Sequence, residues 1–269
     1  MSICVLVKVG EGLVLATDSA ISVAGPPINQ GAERGTLGIV KVYYTGKKLF
    51  GLGNYPIGIM SWGAGSFKER TIASFIEEYE NKIIVQQTPK ENKDIDVREI
   101  AQEIWEFLIA KSDDIFKKVP KEHRPRTGLA VCGYTKDNFF SEEYVMQIPT
   151  SKPARLRPDK KKVPNFGANW FGQTDAIIRF HHGRDNRIFK ILEKNGVDSK
   201  TIEKFNDALL NNIQYKVLFS AMPLDDAIEY AKFLVQLTIS RFKFVAGAEI
   251  CGGKINVAKI TRKNGFTFL

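Results

Sequence analysis

Ser2, in the opening stretch "MSICVLVKVGEGLVLATDSA", is the first residue whose side chain could act as a nucleophile. A serine hydroxyl is a weak nucleophile until a base removes its proton. A free α-amine on the same residue can be that base, because its ordinary pKa of about 7.7 to 8.0 lies near working pH. Only an N-terminal residue has such an amine, so this chemistry requires an aminopeptidase to remove Met1, which a small second residue permits. With Met1 retained, the amine is locked in an amide and the site is inactive.

The spacing of the cysteines and histidines indicates neither a metal site nor a disulfide framework. Cys4, Cys132 and Cys251 form no C-x-x-C pair, and an odd number in a chain of this length is typical of buried free thiols in a reducing compartment. His181 and His182 lack a nearby carboxylate or cysteine pattern and are interpreted as the polar end of a helix. The usual signatures of nucleotide, dinucleotide and zinc sites are also absent, so we expect no metal and no organic cofactor.

An alternating apolar pattern predicts that Ser2 opens a strand. Apolar residues recur over 3–9, a turn follows at 10–12, and 13–16 resume the run, which together predict a buried hairpin. The Gly- and Pro-rich segment 22–38 predicts an extended excursion. Further strands are predicted at 39–44, 48–52, 57–62, 127–135, 143–148, 165–172, 254–260 and 265–269.

Helical periodicity separates these strands into groups. A capping box at Ser66 and Glu69 precedes one apolar stripe, and a second box at Asp96 and Glu99 precedes another. Three or four helical stretches are predicted between 174 and 242. Because the order is not a regular alternation of strand and helix, it favours an α+β protein with antiparallel sheets covered by helices.

Several segments, in this order, resemble the proteasome β-subunit family, which includes bacterial proteasome-like proteases and belongs to the N-terminal nucleophile hydrolases. They are the small hydroxyl residue opening a strand, "ATDS", "KKLFGL", "MSWGAG", "MPLDDAIEYAKFLVQLTISRF" and "CGGKINVAKITRKNG". The resemblance spans nearly the whole chain. It implies a single domain, residues 1–269, folded as a four-layer αββα sandwich of two antiparallel sheets flanked by helices, with a helical insertion at about 179–220.

The resemblance also implies a catalytic set around Ser2. Asp18 would hold a lysine ammonium beside the nucleophile, and that cation would lower the pKa of the hydroxyl and of the amine. Lys48 is the first candidate for this lysine, because its distance in sequence from Gly63 resembles that in bacterial relatives. Lys41 is the alternative.

The remaining implied residues concern the oxyanion and the amine. The backbone N–H of Gly63 would bind the developing oxyanion, and Ser19 would be a supporting hydroxyl. The family prefers threonine to serine at the nucleophile, and it supports the amine with a late Asp and Ser that the stretch "SRFKFVAGAEICGG" lacks. Glu249 and Cys251 are the residues there that could replace them.

The function implied is an amide-bond hydrolase, a peptidase acting on peptide or protein substrates through a Ser2 acyl-enzyme. Two alternatives remain: an inactive subunit used in assembly or partner binding, and a small-molecule amidase. The family forms rings or helical stacks, so we expect a homo-oligomer. The sequence does not identify an ATPase partner.

Charge and hydropathy limit which partners and which cellular location we expect for the protein. The net charge is +9, partly concentrated in "SKPARLRPDKKK", but its two prolines favour a solvated loop over a nucleic-acid site. No apolar run reaches the roughly 18 to 20 residues that cross a membrane. The N-terminus lacks the pattern of a secretory signal, so we expect the mature chain to begin here and to be cytoplasmic.

Overall fold

The computed structural model describes residues 2–25, 38–53, 55–86, 96–159 and 163–269. The strands are β1 (Ile3–Val9), β2 (Gly12–Thr17), β3 (Ile21–Gly25), β4 (Gly38–Tyr43), β5 (Leu49–Gly51), β6 (Ile57–Gly63), β7 (Ser66–Phe67), β8 (Arg70–Thr71), β9 (Thr127–Gly133), β10 (Glu142–Ile148), β11 (Ser151–Arg155), β12 (Gly167–Gly172), β13 (Asn256–Thr261) and β14 (Gly265–Phe268). The α-helices are α1 (Ile72–Gln86), α2 (Val97–Ile115), α3 (Asp175–His182), α4 (Arg187–Lys194), α5 (Ser199–Asn212) and α6 (Leu224–Phe244).

The first five-stranded sheet contains the predicted hairpin. Its strand order is β12-β1-β2-β13-β14, and all its pairs are antiparallel. Every residue of β1 and β2 is buried, including Lys8, and most residues on both faces of the two strands are apolar. Ile3, Val5 and Val7 pack on one face against α6, in a cluster with Ala231 and Leu234.

The second five-stranded sheet has the order β11-β10-β9-β6-β5, again antiparallel. Its outer face packs against α1 and α2, where Phe75 and Ile104 lie in one cluster with Ile59 and Val131. Asp96 is the N-cap of α2, since its side chain accepts hydrogen bonds from the backbone N–H groups of residues 98 and 99. This helix start is confirmed as predicted.

The two sheets pack against each other through a third apolar cluster. Leu6 and Leu15 of the first sheet contact a group that includes Met60, Ala130 and Cys132 of the second. The α+β class and the antiparallel sheets are thereby confirmed. Four α-helices between residues 175 and 244 confirm the helical count predicted for that region.

Three local predictions are wrong. Ser66 does not cap α1, because Ser66 and Phe67 pair with Arg70 and Thr71 in a small ribbon and the helix begins at Ile72. The start of the basic stretch forms β11 in spite of Pro153, because β11 is an edge strand, where a missing N–H is tolerated. Part of the predicted excursion is also strand, since β3 pairs with β4; residues 26–37 lie outside the described residues.

Within the described ranges, no helix combines the length and the apolar character needed to cross a membrane.

Candidate active site

Ser2 lies directly before β1 and is buried, with 4% of its surface exposed. Strand alternation turns its side chain to the same face as Cys4, which is the face that packs on the second sheet. Ser2 lines a cavity of about 250 Å³ together with Lys48 and Gly63. The structure therefore brings the predicted nucleophile, one candidate lysine and the predicted oxyanion glycine to one cavity.

Asp18 follows β2 and is completely buried, so its carboxylate depends on protein partners. Oδ1 accepts a hydrogen bond from the Ile3 backbone N–H at 3.0 Å and contacts Lys48 Nζ at 2.6 Å. Oδ2 accepts from the backbone N–H groups of Ala20 and Gly252, both at 3.2 Å. The carboxylate thus joins the start of β1, the end of β2, the lysine and the turn after α6.

Lys48 is the lysine at the cavity, with 5% of its surface exposed. Its backbone carbonyl accepts a hydrogen bond from the Ser61 N–H at 2.9 Å, which fixes the residue beside β6. Lys41, the alternative, is exposed on β4, where its Nζ lies 5.9 Å from the ring centroid of Tyr43. Of the two lysines, only Lys48 contacts Asp18 among the described ion pairs.

Gly63 ends β6 in a backbone conformation that requires glycine. Its φ is +86°, and a Cβ there would lie 2.5 Å from the Arg126 carbonyl oxygen. The preceding Trp62 also lines the cavity and stacks on Phe171, with ring centroids 4.3 Å apart. The Trp62 ring, packed on Phe171, is therefore an aromatic part of the cavity wall beside Gly63.

Ser19 forms a junction behind the cavity. Its N–H donates to the Gly252 carbonyl at 3.1 Å, its carbonyl accepts from the Gly46 N–H at 2.8 Å, and its Oγ donates to the Tyr44 carbonyl at 2.7 Å. Gly253 must be glycine here, since its φ is +77° and a Cβ would lie 2.4 Å from Ser19 Oγ. Ser19 therefore holds the segment that leads to Lys48.

The two candidates for support of the amine differ in position. Glu249 is exposed. Cys251 is buried, and burial together with the Asp18 charge raises the pKa of its thiol to about 12, although the Lys48 charge acts in the opposite direction. The thiol is therefore neutral at ordinary pH. Burial likewise raises the pKa of the Cys4 thiol, and all three cysteines are free and buried, as predicted.

The turn after β12 is a part of the site that the sequence analysis missed. The Gln173 backbone N–H donates to the Ser2 carbonyl at 2.8 Å. Gly172 has φ +90°, and a Cβ on it would lie 2.0 Å from the same carbonyl oxygen. The signal in the sequence was a glycine directly after a strand, in "WFGQTD", which by itself indicates only a turn.

The histidine pair lies elsewhere, in the last turn of α3. His181 is buried, stacks on Trp170 and contacts the Tyr230 hydroxyl. Burial lowers its pKa, and the neighbouring His182 lowers it further, so it is a neutral packed ring and not a cation at a helix end. In the part of the chain that the structure describes, no three His, Cys, Asp or Glu side chains are grouped to hold a metal ion.

Comparison with solved structures shows a proteasome-like fold. One similar structure is Anbu (ancestral beta-subunit) from Yersinia bercovieri, with TM-score 0.54 and 12% identity, covering 99% of this chain and 85% of that one. Another is a helical assembly of the Anbu complex from Pseudomonas aeruginosa, with TM-score 0.58 and 15% identity, covering 99% and 86%. The resemblance seen in the sequence is confirmed at the level of the fold. No protein-family model and no curated protein matches the sequence.

Proposed function

We propose that the chain is a proteasome-like amide hydrolase, a peptidase that uses Ser2 as an N-terminal nucleophile once Met1 is removed. The observation that carries the proposal is the buried Lys48–Asp18 ion pair at 2.6 Å, with Lys48 lining the same cavity as Ser2 and Gly63. A buried cation beside a hydroxyl favours the alkoxide that attacks a carbonyl. A structural ion pair needs no nucleophile and no cavity beside it.

The proposed reaction runs in two steps. The α-amine of Ser2 takes the proton of Oγ as Oγ bonds to the substrate carbonyl carbon, and the Gly63 N–H stabilises the oxyanion that forms. Collapse of this intermediate breaks the amide bond, and the protonated α-amine returns its proton to the leaving amine. Water, deprotonated by the same α-amine, then attacks the Ser2 ester. The bond between Oγ and the acyl carbon breaks, the acid is released, and the protonated α-amine returns its proton to Oγ. Lys48 takes no part in these proton transfers and stays paired with Asp18.

The proposal extends to architecture and assembly. A single domain fits the three apolar clusters, and the order of helices and sheets in them fits a four-layer αββα sandwich. The proposed helical insertion at about 179–220 contains the end of α3 together with α4 and α5. A homo-oligomer is proposed because a similar protein is described as a helical assembly of the Anbu complex. A cytoplasmic location agrees with three free buried thiols.

A second candidate function is an inactive subunit that serves in assembly or partner binding. The observation that favours it is the lack of a charged support for the amine, because Glu249 is exposed and the Cys251 thiol is neutral. A small-molecule amidase would share the mechanism proposed above, and a panel of peptide and small amide substrates would distinguish it from a peptidase.

Mass spectrometry after treatment with a peptide epoxyketone tests the proposal, because this reagent needs both a free hydroxyl and a free α-amine on one residue. Oγ adds to the ketone and the amine opens the epoxide, so the whole reagent mass is gained. We expect loss of one methionine and one adduct, absent in Ser2→Ala and retained in Ser199→Ala, an exposed serine of α5. Retained Met1 without an adduct would contradict a hydrolase and favour the inactive subunit.

A further inference from the structure

One edge of the first sheet is β12, which pairs with β1 alone. An edge strand leaves every second residue with an N–H and a C=O that face away from the sheet. Such groups are able to pair with an additional strand from another polypeptide.

The hydrogen-bond register identifies the outward residues. Gln173 lies opposite Ser2 in this register, and its N–H donates to the Ser2 carbonyl, so this is a hydrogen-bonded pair. Alternation then makes Phe171 and Asn169 face β1, and leaves Ala168 and Trp170 with outward N–H and C=O groups. The other side of β1 agrees, because the Asp18 N–H donates to the Ile3 carbonyl, which directs the odd-numbered residues of β1 to β2.

A cavity of about 600 Å³ lies against this edge, lined by residues 167–170 and by residues 214–217 and 219. Trp170, Tyr215 and Phe219 give it aromatic walls. The cavity therefore combines unpaired strand groups with apolar surface, which are the two elements of strand addition.

The charges around the cavity define what fits it. Among the described residues that line it, the charged side chains are Arg157 and Lys216, and none is acidic. Arg157 is already paired with the buried Glu143 at 2.9 Å. Lys216 is exposed and makes no ion pair in the described ranges, so it is available to a carboxylate.

We propose that this edge is a docking site for an extended polypeptide segment with acidic side chains, which binds as an added strand on β12. Its backbone would pair with Ala168 and Trp170. Alternate side chains of a strand face opposite sides, so its apolar side chains would contact the aromatic walls and its acidic ones would reach Lys216. The site does not include the Ser2 cavity, so it does not depend on the proposed hydrolase activity.

Peptide binding to the Ser2→Ala chain, which cannot cleave the probe by the proposed route, tests this site. The probes are a blocked pentapeptide that alternates valine and glutamate and a second that alternates valine and lysine. We expect the acidic peptide to bind with a dissociation constant lower by about tenfold or more, since like charges oppose binding of the other. Hydrogen exchange should then slow at the Ala168 and Trp170 amides.

Two variants and one control locate the binding. Ala168→Pro removes an outward N–H without breaking the ladder to β1, and should abolish binding. Lys216→Glu should weaken the acidic peptide about tenfold, whereas Lys200→Glu, an equal charge change on exposed α5, should not. Equal affinity for both peptides, no saturable binding of the acidic peptide, or unchanged binding in both Ala168→Pro and Lys216→Glu would overturn the proposal.

Discussion

Asp18 and Lys48 form a buried ion pair in which Oδ1 and Nζ lie 2.6 Å apart and the side chains are 0% and 6% exposed. Three backbone N–H groups also donate to the same carboxylate. A buried pair of charges is stable only when its remaining hydrogen bonds are made, and here the carboxylate makes them. The two residues therefore share one electrostatic unit, and a change in either leaves the other uncompensated.

We expect Asp18→Asn to lower the free energy of unfolding by about 3–5 kcal/mol, the usual effect of breaking a buried ion pair from one side. The new amide NH₂ would also face either Lys48 or the N–H donors of Ala20 and Gly252. Urea denaturation measures the change. Asp198→Asn is the matched control, because asparagine caps a helix as well as aspartate does, and it should leave the free energy unchanged. Equal stability of the two variants would argue against the importance of the pair.

Substitution of the two lysines separates their roles. Lys48→Met should slow epoxyketone adduct formation by about a hundredfold or more, because the nucleophile loses its nearby cation. Lys41→Met should not change that rate, because Lys41 is exposed on β4. The rate of mass gain measures both. If Lys41→Met slowed adduct formation and Lys48→Met did not, Lys41 would replace Lys48 as the lysine proposed to act beside Ser2.

Gly172→Ala should displace Ser2, because a Cβ at that position would lie 2.0 Å from the Ser2 carbonyl oxygen. A displacement near 1 Å at the nucleophile is expected to slow adduct formation about a hundredfold. Gly196→Ala has a similar backbone conformation, with φ +81° against +90°, but no neighbour within 4 Å. It should cost about 1 kcal/mol of stability and leave the adduct rate unchanged. Similar adduct rates in the two variants would show that the contact with Ser2 is unimportant.

His181 should make the protein less stable in acid. Burial lowers its pKa in the folded state below the ordinary 6.5, so between the two values the unfolded chain binds more protons. The free energy of unfolding is therefore unaffected by this group above pH 6.5 and falls as the pH decreases toward the folded-state pKa. His181→Gln should flatten this pH dependence, and an unchanged slope in that variant would contradict the role of the buried ring. Urea titrations at several pH values measure the slopes.

Regular patterns made much of the fold predictable. The hairpin of β1 and β2 and the long helices α2 and α6 follow from alternation, capping residues and helical stripes. The ribbon of β7 and β8 could not be predicted from the sequence, because each of its strands has two residues and no periodicity can develop over that length.

The candidate site was predictable only in part. Ser2 is recognisable as a candidate because the proposed chemistry depends on its place in the sequence. The other candidates came from the order of the segments that resemble the family. Which of Lys41 and Lys48 lies at the cavity could be seen only in three dimensions, since both lie in strand-like runs of the sequence. The Gln173 contact was hidden for a related reason: it is a backbone interaction that carries no side-chain signature.

The hydrogen bond from the Gly252 N–H to Asp18 joins residues 234 positions apart. A ribosome synthesises Ser2, Asp18 and Lys48 early, but this donor only near the end of the chain. Until the turn after α6 docks, Asp18 Oδ2 lacks one of its partners and Ser19 lacks its contact with Gly252. The hydrogen bonds of Asp18 are therefore complete only after the turn that follows α6 has been synthesised and has docked beside β2.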